Sequence, residues 1–353
     1  MFPMKRFYFG ISVPWIILSV LIWPAGSCYG GYDRQSNNWN RFEGIFFIHH
    51  YAFFPDGRHA VGHDPERFVP ILMDLVQRQP TGAPFKDVSD GSERRLGHSQ
   101  DILCLDVSSD GKFVLSGSAD GTIVLWSVDT RRLVYRLNGH KGSVRKVKFA
   151  PDGRSLMSHG DDLFVKIWSV DTAAEKVRIG PAEGMASADG SFDHERVLTG
   201  GQGLKLWNML DGSLLRSWGA SLQVTSVAIS PNTALALSGD SHGRIHVWDT
   251  STGALKSTLF KETRIRGDVA ACAVNAVTFS PGAIYAASGS ECGYLRVWDV
   301  TTGRLVRDYE SRYRCVPLTW NISPFGKWAI YSSMETGAWI GDIATEPEKM
   351  PPD

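Results

Sequence analysis

Four stretches of this chain align without a gap: KFVLSGSADGTIVLW (112–126), RSLMSHGDDLFVKIW (154–168), ALALSGDSHGRIHVW (234–248) and IYAASGSECGYLRVW (284–298). Each runs as an apolar strand into Ser116, Ser158, Ser238 or Ser288, turns, and closes as a second strand on Trp126, Trp168, Trp248 or Trp298, always ten residues after the serine. Alternating β-branched and aromatic residues around a short Gly-containing turn specify a β-hairpin. Recurrence in register at roughly forty residues specifies a tandem all-β unit that buries its faces against its own neighbours.

Weaker copies complete the series. Thr199-Gly200-Gly201 and Trp207 form one whose turn is two residues shorter, and Pro324 follows Pro281 by 43 residues, an offset that lays Gly341-Asp342 on Trp298-Asp299. At the other end FFPDGRHAVGHD (53–64) parallels FAPDGRSLMSHGDD (149–162), with VPILMDL (69–75) as the next strand. Seven units result, over about 45–95, 98–137, 140–179, 182–217, 221–259, 270–309 and 313–345.

These residues resemble the WD-repeat family of β-propellers: Trp248-Asp249 and Trp298-Asp299 match its eponymous dipeptide, and Gly97-His98 and Gly139-His140 its Gly-His. His98 precedes Trp126 by 28 residues, as His140 precedes Trp168. The resemblance covers nearly all of residues 40–345 and implies an all-β, seven-bladed β-propeller of four-stranded antiparallel blades. The last unit lacks a clear outer strand, whereas Trp39 to Gly44 is a spare one. The N-terminal segment is therefore expected to pair into the final blade and close the ring.

His98, Ser116 and Asp120 invite a reading as a nucleophilic triad. The same set recurs as His140, Ser158 and Asp162, and a repeated set implies a structural duty, since catalysis needs one site. In the resembled family His, Ser, Asp and Trp bond to one another within a blade, so the expected network is His98, Ser116, Asp120, Trp126 and His140, Ser158, Asp162, Trp168. The carboxylate position becomes His242, Cys292 and Glu335 in later units, and Ala270 stands where the sixth would carry His.

Before the repeats, Lys5 and Arg6 precede an uncharged apolar run from Phe7 to Trp23, then Pro24-Ala25-Gly26-Ser27-Cys28. This reads as an export signal. Small residues before Cys28 resemble the lipobox of bacterial lipoproteins, making Cys28 the lipidation candidate; a retained membrane anchor and a cleaved, released form are the alternatives. The expected division is signal or anchor 1–28, flexible tether 29–40, propeller 41–345 and tail 346–353. The expected location is extracytoplasmic, either membrane-anchored or periplasmic. An exported chain is permitted disulfides. Cys272 and Cys315, 43 residues apart, are the leading pair, with Cys272–Cys292 the runner-up, four free thiols the alternative to either, and Cys104 an inert strand residue.

Charge excludes some functions. Thirty-seven basic side chains balance thirty-seven acidic ones, so nothing draws the chain generally to nucleic acid. No CxxC pair, phosphate-binding glycine loop or metal-ligand spacing is present; His49, His50, His59 and His63 follow strand alternation, and no cofactor or metal is expected. The partner-binding candidates lie in two links between units: Lys261, Arg264 and Arg266, then Arg312, Tyr313 and Arg314, a set suited to carboxylate-bearing protein or an anionic headgroup. The expected function is an exported, membrane-attached protein-interaction scaffold without catalytic activity, docking a protein or an envelope complex. The alternative is a propeller that binds or hydrolyses a small substrate at the channel mouth, which requires an unrepeated cluster of carboxylates, His or metal ligands.

Overall fold

The structure, a computed structural model, describes residues 39–41, 50–64, 68–77, 79–86, 97–182, 184–191, 195–261, 263–265, 268–270, 272–280, 282–310, 317–322, 328–333 and 337–342. The N-terminal apolar run with Cys28, His49, Arg266, Arg312, Tyr313, Arg314, Cys315, Glu335 and the C-terminal tail lie outside these residues.

Every helix-or-strand element among the described residues is a strand. After β1 (Trp39–Arg41), the strands β2 (Tyr51–Phe53), β3 (His59–Asp64), β4 (Val69–Asp74) and β5 (Gln79–Pro80) form one antiparallel sheet. β6 (Ile102–Val107), β7 (Phe113–Ser118), β8 (Thr122–Ser127) and β9 (Arg132–Asn138) form the next. β10 (Val144–Phe149), β11 (Ser155–Gly160), β12 (Val165–Ser169) and β13 (Glu175–Ile179) follow. β14 (Ser187–Gly190), β15 (Arg196–Asn208), β16 (Leu214–Ile229), β17 (Leu235–Asp240), β18 (Ile245–Asp249) and β19 (Leu255–Leu259) run in one continuous order. A small hairpin, β20 (Thr263–Ile265) and β21 (Asp268–Ala270), precedes β22 (Val274–Phe279), β23 (Tyr285–Ser290), β24 (Tyr294–Asp299) and β25 (Leu305–Glu310). β26 (Pro317–Ile322), β27 (Trp328–Ser333) and β28 (Gly337–Asp342) end the series, with β1 hydrogen-bonded to β28 so that Trp39 lies opposite Gly341. Trp39 and Asn40, expected in the tether, are thus strand residues: their backbone pairs with that of Gly341 and Ile340.

The first strands of the sheets are neighbours. β2 and β10 flank β6, β16 adjoins β22, β22 adjoins β26, and β26 returns to β2. The fold is a β-propeller with four-stranded antiparallel blades.

Two long strands conceal turns. The indole N–H of Trp207 donates to Thr199 Oγ1 at 2.9 Å, although eight residues of extended strand would separate them by about 26 Å. The chain must double back within β15, and it does so beside Gly203, whose φ is +75°. The first part of β15 pairs with β14 (Gly200 opposite Ser187) and the second with β16 (Leu204 opposite Trp218). β16 divides likewise: Leu214 to Trp218 pairs back onto β15, and Val224 to Ile229 pairs forward onto β17.

Apolar side chains are buried between blades rather than around one centre. Ala52, Val61 and Phe85 of one sheet pack with Ile102, Val114 and Trp126 of the next. Trp168 lies with Leu115 and Leu125, Trp248 with Leu198 and Leu206, and Trp298 with Leu237 and Val247, so each Trp ring enters the interface with the preceding sheet. Met73 takes the corresponding cross-strand position in the first sheet, opposite Ala60, and is fully buried.

The residue after the recurring serine explains why glycine recurs there. A Cβ on Gly117 would lie 2.6 Å from Val144 Cγ1 of the next sheet, and one on Gly239 would lie 2.6 Å from Val274 Cγ1. The missing side chain lets the next blade's first strand approach. Gly239→Ala is expected to cost about 1–3 kcal/mol through overpacking, lowering Tm by several degrees in a thermal melt. Gly282→Ala, where the nearest atoms are 3.8 Å away, should leave Tm unchanged.

Candidate functional site

In the sheet β6–β9 a hydrogen-bonded chain crosses the blade. The indole N–H of Trp126 donates to Ser116 Oγ (2.8 Å), which is 2.6 Å from His98 Nε2; His98 Nδ1 is 2.8 Å from Thr122 Oγ1, and the Thr122 hydroxyl donates to Asp120 (2.6 Å). With the His98 proton on Nδ1, every hydroxyl in this chain both donates and accepts. Asp120 also receives the backbone N–H of Ser99 at 2.7 Å, which ties the incoming loop to the β7–β8 turn. The next sheet repeats the arrangement with one link fewer. Trp168 donates to Ser158 (2.8 Å), Ser158 Oγ is 2.7 Å from His140 Nε2, and His140 Nδ1 meets Asp162 directly at 2.8 Å. Phe164 stands where the other blade has Thr122, so no hydroxyl intervenes.

Electrostatics fixes the protonation states. Burial pushes the His98 and His140 imidazoles down, outweighing the pull of Asp120 and Asp162. Burial pushes both carboxyls up, but the nearby His98 and the Thr122 hydroxyl at Asp120, the bond from His140 at Asp162, and backbone N–H groups at both win and hold them below the usual range. Neutral imidazole beside carboxylate superficially matches a hydrolase. However, Ser116 and Ser158 are completely buried and their oxygens are already occupied by an indole N–H and an imidazole, so neither presents a nucleophile.

The Trp-to-hydroxyl bond outlasts the rest of the set. Trp207 uses Thr199 (2.9 Å), Trp248 uses Ser238 (2.9 Å) and Trp298 uses Ser288 (3.2 Å). His242 is only part of a surface turn; there Asp240 receives the N–H groups of His242 (2.8 Å) and Arg244 (2.9 Å).

A second polar chain, absent from the expectations above, links blades to one another. Asp106 accepts the N–H of Phe149 (2.6 Å), Lys148 Nζ reaches Asp189 (2.8 Å), and Asp189 accepts the N–H of Ile229 (3.1 Å). Lys146 adds a second cation at 3.2 Å from Asp189. Burial raises the Asp189 carboxyl, but Lys146 and Lys148 overcome it and bring it to about 2. At Asp106 burial wins and raises the carboxyl to about 6. The signal in the sequence was a charged residue at the same place in successive first strands: Asp106, Lys148, Asp189. These groups are taken up in ties between strands, and among the described residues no three His, Cys, Asp or Glu side chains gather as a metal ion would require. Of the early histidines, His59 pairs with Asp56 at 2.5 Å, and the rings of His50 and His63 lie 6.0 Å apart.

One expectation about the rim requires correction. Cys272 bonds to Cys292, not to Cys315. Equal offset places residues at like positions in different blades, whereas here a turn and the loop of one blade bring Cα atoms to 5.6 Å. The half-exposed Lys261 ammonium meets Asp308 at 2.5 Å, and the Lys261 carbonyl accepts from the buried Arg296 guanidinium at 3.0 Å. Arg264 lies in β20, its backbone opposite Val269. Cys104 is unpaired by any disulfide, and burial pushes its thiol up to about 12, which makes it unreactive.

Sequence comparison matches the family described as WD domain, G-beta repeat at residues 91–127, 131–169, 212–249 and 262–299, each segment ending one residue beyond a Trp of the bonded set. These four segments are similar to WD repeats. Over 60 residues the chain is 38% identical to WD repeat-containing protein 18 of Danio rerio, covering 17% of this chain and 14% of that protein. Over 48 residues it is 38% identical to the human U3 small nucleolar RNA-interacting protein 2, covering 14% of this chain and 10% of that protein. Over 48 residues it is also 38% identical to the U5 small nuclear ribonucleoprotein 40 kDa protein of Pongo abelii, covering 14% of this chain and 13% of that protein. The matched segments thus span about a tenth to a seventh of these relatives. The relatives' nucleolar and small nuclear names contradict the expected extracytoplasmic location. That expectation rested on an apolar N-terminal run, a feature independent of the repeats.

Asp120→Ala and Asp162→Ala should each cost about 1.5–3 kcal/mol, and each should lower Tm more than His242→Ala; melts of the three variants make the comparison. Asp106 supplies a pH test. Its folded pKa of about 6 exceeds the ordinary 3.8, so its contribution to stability is full below 3.8 and is lost as the pH rises through 6. Asp106→Asn should therefore gain stability relative to the unsubstituted chain between pH 5 and about 8, read from denaturant midpoints at each pH.

Proposed function

We propose that this protein is a non-catalytic protein-interaction scaffold built as a seven-bladed WD-repeat ring. Support for seven blades comes from the doubling back of β15 and β16, which divides the six-stranded order into two four-strand units beside the five separate four-stranded sheets. Support for closure by the N-terminal segment comes from the pairing of β1 with β28 and the return of β26 to β2.

One observation carries the functional reading: the conspicuous His, Ser, Asp and Trp side chains recur and are used up in bonds within blades. What remains for function is loops on a rigid ring. The docking rim we propose is the long link after β19 and its neighbour one blade on, with Arg264, Arg266, Arg312, Tyr313 and Arg314 as contact residues for a carboxylate-bearing protein. Lys261 serves there as an anchor of the link. The names of the relatives favour a partner within a nuclear ribonucleoprotein, and the balance of 37 basic and 37 acidic side chains favours contact with its protein rather than its RNA.

Affinity capture with the full chain before and after ribonuclease treatment, alongside Arg264→Glu and Arg312→Glu variants, tests this. Retention of the same proteins after ribonuclease, with at least about tenfold less capture by the variants at unchanged Tm, is the expected result. Capture that vanishes with ribonuclease, or that ignores both charge reversals, rejects the docking rim.

A further inference from the structure

The disulfide Cys272–Cys292 occupies a telling register. In three sheets the same backbone bond fixes the incoming loop to the turn between the second and third strands: Ala119 N–H to Asp101 O, Asp161 N–H to Ser143 O, and Glu291 N–H to Ala273 O, each 2.9 Å. Superposed on that bond, Cys292 falls on Asp120 and Asp162, the carboxylates that hold the incoming loops through the N–H groups of Ser99 and Lys141. The sixth repeat has Ala270 where those blades have His98 and His140, so it lacks the imidazole half of the link and has a sulfur bridge to the same loop instead.

That loop is also the descending end of the β20–β21 hairpin, an insertion between blades. Its ascending end is held at Lys261, by Asp308 at 2.5 Å and by Arg296 on the Lys261 carbonyl at 3.0 Å. Its descending end is held by the disulfide, by the Glu291–Ala273 backbone bond, and by a 2.9 Å bond from Ala273 N–H to the Glu291 carboxylate.

We propose that Cys272–Cys292 is a thiol–disulfide clip, the covalent stand-in for the His–Asp link, and that its redox state sets how firmly the loop between β21 and β22 is held to the β23–β24 turn. Opening is exchange with a dithiol: the S–S bond breaks, Cys272 and Cys292 each take one electron and one proton, and the dithiol leaves as a disulfide. Closing runs through a low-molecular-weight disulfide such as oxidised glutathione, which departs as two thiols. The clip is independent of any partner; its consequence for docking rests on the rim proposed above.

Hydrogen exchange with mass spectrometry on the full chain, oxidised by glutathione disulfide or reduced by dithiothreitol, tests it, with peptide mapping of alkylated cysteines to report each state. On reduction, exchange in peptides covering the loop between β21 and β22 should rise at least about fivefold while those from β22 to β25 stay protected. Re-oxidation should restore the slow rate. Cys272→Ser and Cys292→Ser should show the fast rate under both conditions. Equal loop exchange in the two states, simultaneous loss of protection across β22–β25, or failure of glutathione disulfide to re-form the bond would each overturn the clip. None of these readouts involves partner capture, so the docking rim and the clip fail separately.

Discussion

Each Trp of the bonded series does two jobs whose requirements conflict. Its ring fills the interface with the preceding sheet, as Trp126 does against Ala52, Val61 and Phe85, while its indole N–H must not be left unpaired in that apolar setting. A hydroxyl from its own sheet, Ser116, Ser158, Thr199, Ser238 or Ser288, resolves the conflict. That bond holds the ring in the orientation that meets the neighbouring blade. The stacking of blades, the burial between them and the positions of their turns all follow from it.

Around this constant bond the link between incoming loop and turn varies. It is imidazole, threonine and carboxylate at Asp120, imidazole and carboxylate at Asp162, and a disulfide at Cys292. The loop must be tied because its backbone groups are otherwise unsatisfied at the end of the sheet. The chemistry of the tie is free to change, since only its position is dictated.

Ties between blades follow a different rule. Asp106 and Asp189 each reach across to a backbone N–H of a later first strand, and Lys148, next to Phe149, bonds to Asp189. A buried carboxylate is tolerable with such partners and costly without them. Asp189, flanked by two lysines, stays ionised at low pH, whereas Asp106 is less well compensated and titrates near neutrality. The contact of Asp106 with the Phe149 N–H is thereby expected to respond to pH where that of Asp189 with the Ile229 N–H does not.

Local pattern determined the strands, the hairpins and the approximate repeat, because period-two alternation and glycine turns act over a few residues; the hairpins closing on Trp126 and Trp298 illustrate this. The short turn after Thr199 was visible for the same reason. Tertiary structure decided everything that depends on which residues meet across space. Register offset suggested Cys272 with Cys315, but closeness is set by the loop and turn of one blade, which put Cys292 within reach. The charge of Lys261 was legible, yet its pairing with Asp308 arises only when β25 returns beside the link. Likewise the reach of Asp106 to Phe149 needs two consecutive blades already stacked, and no linear pattern encodes that juxtaposition.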